Sequence, residues 1–273
     1  MIFKESGFTI INRITINISF VLMIQVWVNI IIIKSCFINL MVENLQQFQI
    51  RILNKLNQSY SLNNRSNNKN LKIYEERLKN DRLEWCKQII KICRKKHHNK
   101  MSINDIGCNY FQLYKEIKYQ KLKFNYFGYD TDKTFIQLGL KKFPELKSKY
   151  KIQNISNTIP RTADASIISA VLEHVERPYD FLKNCLKSSK KIILLRTHIS
   201  SFNKIELTPK NLSMENQYLI NEFSKYAIRD IFKKYCFKCE EIEDKYTNYS
   251  RPYKLHKYNL KRKFVIFLGT KLY

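Results

Sequence analysis

Glycine is scarce in this chain, with five among 273 residues, and acids are outnumbered, with 23 Asp plus Glu against 49 Lys plus Arg. The seven cysteines, at 36, 86, 93, 108, 185, 236 and 239, lack the even, regular spacing of a disulfide framework. That excludes a small stapled scaffold and points to reduced cytosolic thiols. Cys236-Phe-Lys-Cys239 is a lone C-x-x-C. No second such pair and no H-x-x-x-H accompanies it, so a structural zinc site lacks its other two ligands and no metal is expected. No single basic helix and no RNA-binding aromatic motif collects the lysines. The formal charge of +26 is spread along a chain that is also rich in Asn and Ile. It reads as a lysine-rich coding bias ahead of a nucleic-acid or anionic-membrane surface, with nucleic acid as the weaker alternative.

A hydrophobic fraction of 44% is enough for a sizeable core. Residues 14–33, "ITINISFVLMIQVWVNIIII", carry no charge and are flanked by Arg13 and Lys34. Twenty such residues match the length of a membrane span, although Thr15, Asn17, Gln25 and Asn29 weaken the match. No small-residue cleavage site follows, which disfavours a signal peptide. Lys34, Arg51 and Lys55 make the downstream flank the more positive one. A span would therefore leave the bulk of the chain in the cytoplasm, anchored to the inner face of a membrane. The competing reading makes Met41 the true start and the preceding residues a start-site misassignment. Residues 54–70, "NKLNQSYSLNNRSNNKN", are polar and Asn-rich and read as a linker. Three regions are thus expected: an apolar segment over 1–53, a linker over 54–70, and a folded domain over 71–273.

The domain should open with a helix from Leu71 to about Lys96, since Tyr74, Leu78, Trp85, Ile89 and Ile92 recur on one side. From Met101 strands and helices alternate. "MSINDI", "FNYFGYD" (124–130), "KYKIQNI" (149–155), "DASIISAVL" (164–172) and "KKIILLRTH" (190–198) read as strands. "FQLYKEIKYQ", "KTFIQLGLKKF" (133–143), "PYDFLKNCLK" (178–187) and "NEFSKYAIRDIFKKY" (221–235) read as helices. Strands separated by helices of this length imply right-handed crossovers and a parallel sheet covered on both faces. "FKCEEIED" (237–244) and "KRKFVIFLGTK" (261–271) have no helix between them and should pair antiparallel at the sheet edge. The stretch 199–220 is either a cover over a substrate or a plain surface connection.

In an open parallel sheet, ligands sit at the carboxyl ends of the strands near the point where strand order reverses. "INDIGCNYFQLYKEI" (103–117) reads as strand, tight turn and helix at such an end, with the single glycine Gly107. The next strand ends in Asp130, placed to accept hydrogen bonds from both hydroxyls of a ribose.

Four blocks in order carry more information than that spacing. "NDIGCN", "YFGYDTD", "ADASIISAVLEHVERPYDFLKN" and "KKIILLRTHI" resemble the class I S-adenosylmethionine-dependent methyltransferases over roughly residues 75 to 271. The first resembles the motif D-x-G-C-x-x-G, and "SAVLEHVERP" is the most telling. The resemblance implies an α/β, Rossmann-like three-layer sandwich, whose seven-stranded sheet has six parallel strands and one antiparallel. It implies S-adenosylmethionine as cofactor. Asp105, Gly107, Cys108 and Asn109 would form the loop beside its methionine part, and Asp130 with Thr131 would hold the ribose. Asn154 and Ile155 would lie beside adenine, and Ser169, Ala170 and Val171 under the transferable methyl. Two family glycines are replaced here, by Asn109 and Phe111. Asn tolerates the left-handed backbone better than most residues.

A hydroxyl acceptor needs a base, and histidine is poised for that near neutral pH. His198 and His174 follow strand ends and are the candidates, with His256 behind them. The amino-methylating N-P-P-Y and D-P-P-Y motifs are absent, since the fourth strand runs into "SAVLEH". The implied activity is methyl transfer to a small molecule, lipid or glycan. The alternatives are a nucleic-acid or protein acceptor, or a cofactor-binding relative without turnover.

Overall fold

The computed structural model describes residues 82–97, 100–200, 204–208, 218–245, 253–254 and 261–272, with single positions at 25, 29, 75, 76 and 79. Apart from Gln25 and Asn29, the expected apolar anchor and Asn-rich linker lie outside the described residues, as do His256 and most of the helix before Arg82. Among the described residues no helix is long and apolar enough to cross a membrane. The chain divides into units 1–55 and 56–273, and every element below belongs to the second.

One sheet organises that unit. Strands β1 (Ser102–Ile106), β2 (Asn125–Asp130), β3 (Tyr150–Ile152), β4 (Ala163–Ser169) and β5 (Ser189–Ser200) are separated by helices, except that β3 leads to β4 without one. Helix α1 (Glu84–His97) precedes β1. Then come α2 (Gln112–Tyr119), α3 (Lys133–Lys142) and α4 (Pro178–Ser188). Strands β6 (Lys204–Thr208) and β7 (Tyr218–Ser224) follow, then α5 (Lys225–Lys234), β8 (Phe237–Glu243), the two-residue β9 (Tyr253–Lys254) and β10 (Lys261–Lys271). The main strand order is β3-β2-β1-β4-β5-β10-β8. β1 pairs parallel with both β2 and β4, so strand order reverses at β1. β10 lies antiparallel between β5 and β8. This is the seven-stranded, mostly parallel sheet that the four sequence blocks implied.

Residue type explains the layers. Successive side chains of a strand point to opposite faces. Ile167 and Leu194 accordingly pack with Ile103 in one buried cluster. Their neighbours Ile168 and Leu195 pack with Ile106 in the other. Helices α1, α2 and α3 contribute to the first cluster, and α4 and α5 to the second. Local signals set the helix starts. Asp132 caps α3 by accepting from Thr134 N at 2.9 Å, Ser224 caps α5 by accepting from Ala227 N at 3.3 Å, and Pro178 occupies the first turn of α4.

Three elements depart from expectation. β4 stops at Ser169 instead of running to Leu172, because Ala170 takes a left-handed φ of 55° and Leu172–His174 forms a 3₁₀ turn. β3 is confined to 150–152. The helix expected over 221–235 begins at Lys225. Residues 221–224 instead complete β7, which pairs antiparallel with β6 and parallel with the end of β5, Ile199 opposite Phe223. Asn221 holds that strand in place: it is buried, and its Nδ2 donates to the carbonyls of Leu172 at 3.3 Å and Val175 at 2.8 Å.

The turn after β1 keeps a glycine-like backbone without the glycines. Asn109 and Phe111 have φ of 52° and 64°. Such a conformation costs a bulky residue roughly 1–2 kcal/mol. Burial of the Phe111 ring offsets it, and two glycines elsewhere make room for that ring. A Cβ on Gly139 of α3 would lie 2.6 Å from Phe111 Cδ2, and one on Gly128 of β2 would lie 3.1 Å from Phe111 Cε1. Gly139→Ala is therefore expected to destabilise the domain by roughly 1–3 kcal/mol through overpacking, although alanine is the better helix former by about 1 kcal/mol. Urea unfolding checks the sign, and a stabilised variant would refute this packing.

Candidate functional site

The carboxyl ends of β1, β2, β4 and β5 surround a cavity of about 430 Å³. This falls within the roughly 300–1,000 Å³ of small-molecule sites. The loop after β1 forms one wall. The peptide nitrogens of Gly107 and Cys108 both donate to Tyr129 O, at 2.7 and 2.9 Å, which ties the loop to the neighbouring strand. Gly107 has φ of 76°, and an added Cβ would stand 2.2 Å from Val171 Cγ2. Glycine is thus required by backbone conformation and by the approach of the loop after β4.

Asp130 closes the same corner. Its Oδ2 accepts from Asn109 N at 2.8 Å and its Oδ1 from Asp132 N at 3.0 Å. A carboxylate offers about four acceptor positions, so it can orient the loop and still receive a ligand hydroxyl on each oxygen. Burial raises its pKa, against the opposing pull of the peptide bonds from Asp132 and Asn109. Asp105 lies deeper, 5% exposed, and accepts from the Tyr126 hydroxyl at 2.7 Å. Burial pushes its carboxyl up to about 7; the Tyr126 bond opposes the shift and the charge of Asp130 adds to it. Burial also raises the Cys108 thiol well above its ordinary range, which makes it a packing group and not a nucleophile.

All eleven residues expected to hold a cofactor line this cavity: Asp105, Gly107, Cys108, Asn109, Asp130, Thr131, Asn154, Ile155, Ser169, Ala170 and Val171. Asn154 Oδ1 accepts from Ser156 N at 2.9 Å, so its carbonyl shapes the turn after β3 as well as facing the cavity. The two histidines separate. His174, in the 3₁₀ turn after β4, lines the cavity. His198 does not; its ring lies 3.7 Å from that of Phe264 on the adjacent strand. A strand-end position alone could not distinguish them.

Several lining residues were missed. Gln112 opens α2, and its Nε2 is buried without a hydrogen-bond partner. Asp132 Oδ2 is in the same condition. Leu83 and Trp85 reach the cavity from the start of α1, Arg196 from β5 and Phe264 from β10. An arginine inside the apolar run "IILLRTH" was a readable signal, because such a residue is seldom buried without a partner. Trp85 was read as core only. Among the described residues, no group of three His, Cys, Asp or Glu could hold a metal ion.

No protein-family model and no curated protein matches the sequence. Solved structures do match the fold. A S-adenosylmethionine-dependent methyltransferase from Clostridium acetobutylicum superposes with a TM-score of 0.52 at 15% identity, over 75% of this chain and 98% of that one. The N-terminal domain of EvdMO1, in the presence of S-adenosylhomocysteine and D-fucose, gives 0.51 at 11% identity, over 71% of this chain and 85% of that one. The chain has the three-layer fold of the class I S-adenosylmethionine-dependent methyltransferases.

The Asp105 environment generates a pH dependence. Its folded pKa of about 7 stands above the ordinary value of 3.8. The folded chain therefore holds a proton that the unfolded chain has released, and stability from this group is fully present below about pH 4 and lost as pH rises through about 7. Asp105→Asn should abolish that loss, so that wild type declines relative to the variant between about pH 4 and 7 in urea unfolding. Parallel pH profiles for the two proteins would show that Asp105 ionises normally.

Proposed function

We propose that this chain, built on the class I methyltransferase fold, transfers the methyl group of S-adenosylmethionine to a small-molecule, lipid or glycan acceptor. The observation that carries the reading is the meeting of Gly107 and Asp130 in one cavity at the point where strand order reverses. A nucleoside ligand needs both: close backbone approach at the first strand and a carboxylate for its ribose at the second. Gln112 Nε2 and Asp132 Oδ2 fit the same ligand, since a buried donor and a buried acceptor without partners lose free energy until a ligand satisfies them. The cofactor's carboxylate is a partner for the first, and its hydroxyl or ammonium groups for the second.

In this reading Asp130 accepts from the ribose hydroxyls, and Asn154 and Ile155 flank the base. Gln112 donates to the amino-acid end, and Ser169, Ala170 and Val171 form the surface under the methyl group. The cofactor supplies an activated methyl on a good leaving group. The chain supplies orientation, which is the larger part of catalysis when the chemistry resides in the cofactor.

S-adenosylhomocysteine should raise the thermal unfolding temperature of wild type, because a ligand bound by the native state alone stabilises it by mass action. Asp130→Ala should weaken calorimetric binding by roughly 1.5–3 kcal/mol, the scale for hydrogen bonds to a charged group. Circular dichroism should report an unchanged fold. Equal affinity in the two proteins would place the cofactor elsewhere.

A further inference from the structure

We propose that the end of the sheet opposite the cavity is a docking surface for an anionic lipid bilayer. The proposal is independent of the methyl-transfer reading. β10 is antiparallel to both β5 and β8, so β8 runs with the parallel strands. Register puts the strand starts side by side. Ser102 of β1 is opposite Asn125 of β2, and its N donates to Asp164 Oδ2 of β4 at 2.8 Å. Phe237 of β8 is opposite Lys271 at the end of β10. A helix that leads into the next strand therefore finishes at this end. The stretches that do so are 94–101, 117–124, 141–149, 186–192 and 232–238, and 268–272 ends β10 beside them. Together these six stretches hold eighteen Lys or Arg and one acid, Glu145. Seventeen of the eighteen are exposed, and Lys271 is half-buried. Glu145, Asp164 and Glu240 pair with Lys118, Lys191 and Lys238. A helix C-terminus carries about half a negative charge, so five of them account for a few lysines and not for this number. A coding bias would load both ends of the sheet. The loops 130–133 and 169–180, at the carboxyl ends of β2 and β4, instead hold five acids and two cations.

Residue type selects the partner. Arginine makes up 12 of the 49 cations in the chain but one of these eighteen. Arginine carries the bidentate contacts to phosphates and bases that hold a nucleic acid in register. Lysine acts as a point charge and suits a diffuse anionic surface. Two of the five exposed large hydrophobic side chains among the described residues stand at the same end, Tyr119 at 63% and Leu272 at 52% exposed. Such side chains are accommodated in the headgroup layer of a bilayer. Strand rise sets the cavity roughly 20 Å from this surface, so a docked domain keeps the mouth of its cavity turned to solvent.

Vesicle sedimentation of the full chain tests this, with phosphatidylcholine alone and with roughly a third of it replaced by phosphatidylglycerol. The chain should bind the anionic vesicles about tenfold or more tightly than the neutral ones. Raising salt from about 0.1 to about 1 M shortens the screening length from about 10 to about 3 Å and should remove the difference. Lys100→Gln, Lys123→Gln and Lys190→Gln together should weaken binding to anionic vesicles about tenfold or more, the scale of lysines close to such a surface. The matched triple Lys91→Gln, Lys133→Gln and Lys245→Gln removes the same charge at exposed positions outside the six stretches and should leave binding unchanged. No preference for anionic vesicles overturns the assignment, and equal binding to both compositions at high salt would give membrane contact to residues 14–33 instead. Equal loss in the two triples would assign the attraction to the overall charge of the chain and overturn it as well. Tighter binding to poly(U) RNA than to anionic vesicles, weakened by the first triple alone, would make this end a nucleic-acid surface.

Discussion

Two peptide N–H groups share one carbonyl oxygen, and the site is arranged around that fact. Gly107 and Cys108 both donate to Tyr129 O. The loop must leave β1 sharply enough for both nitrogens to reach the adjacent strand, and that sets the left-handed φ at Gly107. With the loop held there, Asn109 N meets the Asp130 carboxylate, and Val171 closes over Gly107. The remaining left-handed positions, Asn109 and Phe111, follow from the same path. Space for the Phe111 ring is then conceded by Gly128 and Gly139 on two other elements. The glycines absent from the loop have their counterpart in the surfaces the loop packs on.

Charge is distributed against the average. The chain is strongly basic, yet four acids and one arginine line its cavity. Inside a poorly solvated pocket the local groups outweigh distant, screened surface lysines. Asp130 and Asp132 place negative charge at the β1–β2 end. At the β5 end Arg196 sits in a compensated ion pair with Asp244. The two ends differ in character because they are built from different strands: carboxylates finish β1 and β2, and an arginine stands near the end of β5.

What could be read in the sequence was what depends on residue type and period. The parallel strands announced themselves as short apolar runs between amphipathic helices. Gly107 and Asp130 were legible because few residue types meet the backbone and hydrogen-bonding demands of their positions. The β6–β7 pair was not, since "KIELT" and "YLINEFS" carry no periodic signal strong enough to separate strand from helix, and β7 is fixed by Asn221 reaching carbonyls far away in sequence. The roles of Trp85 and Arg196 depend on which elements face each other across the cavity. His198 shows the same limit: its position at a strand end was evident, but the ring tilted against it comes from β10, over sixty residues on.

β10 is the late arrival that completes the sheet. It lies between β5 and β8, pairing with β5 from Ile192 to Ile199 and with β8 from Phe237 to Glu243. A ribosome delivers β5 and β8 well before their common neighbour. Until β10 emerges, β5 has an open edge along most of its length and β8 has no strand to join. Non-local pairing of this kind is slow and leaves apolar edges exposed to other chains. During synthesis the half of the molecule that holds the loop after β1 can condense early, while the side that carries Arg196 waits for the last strand to thread into place.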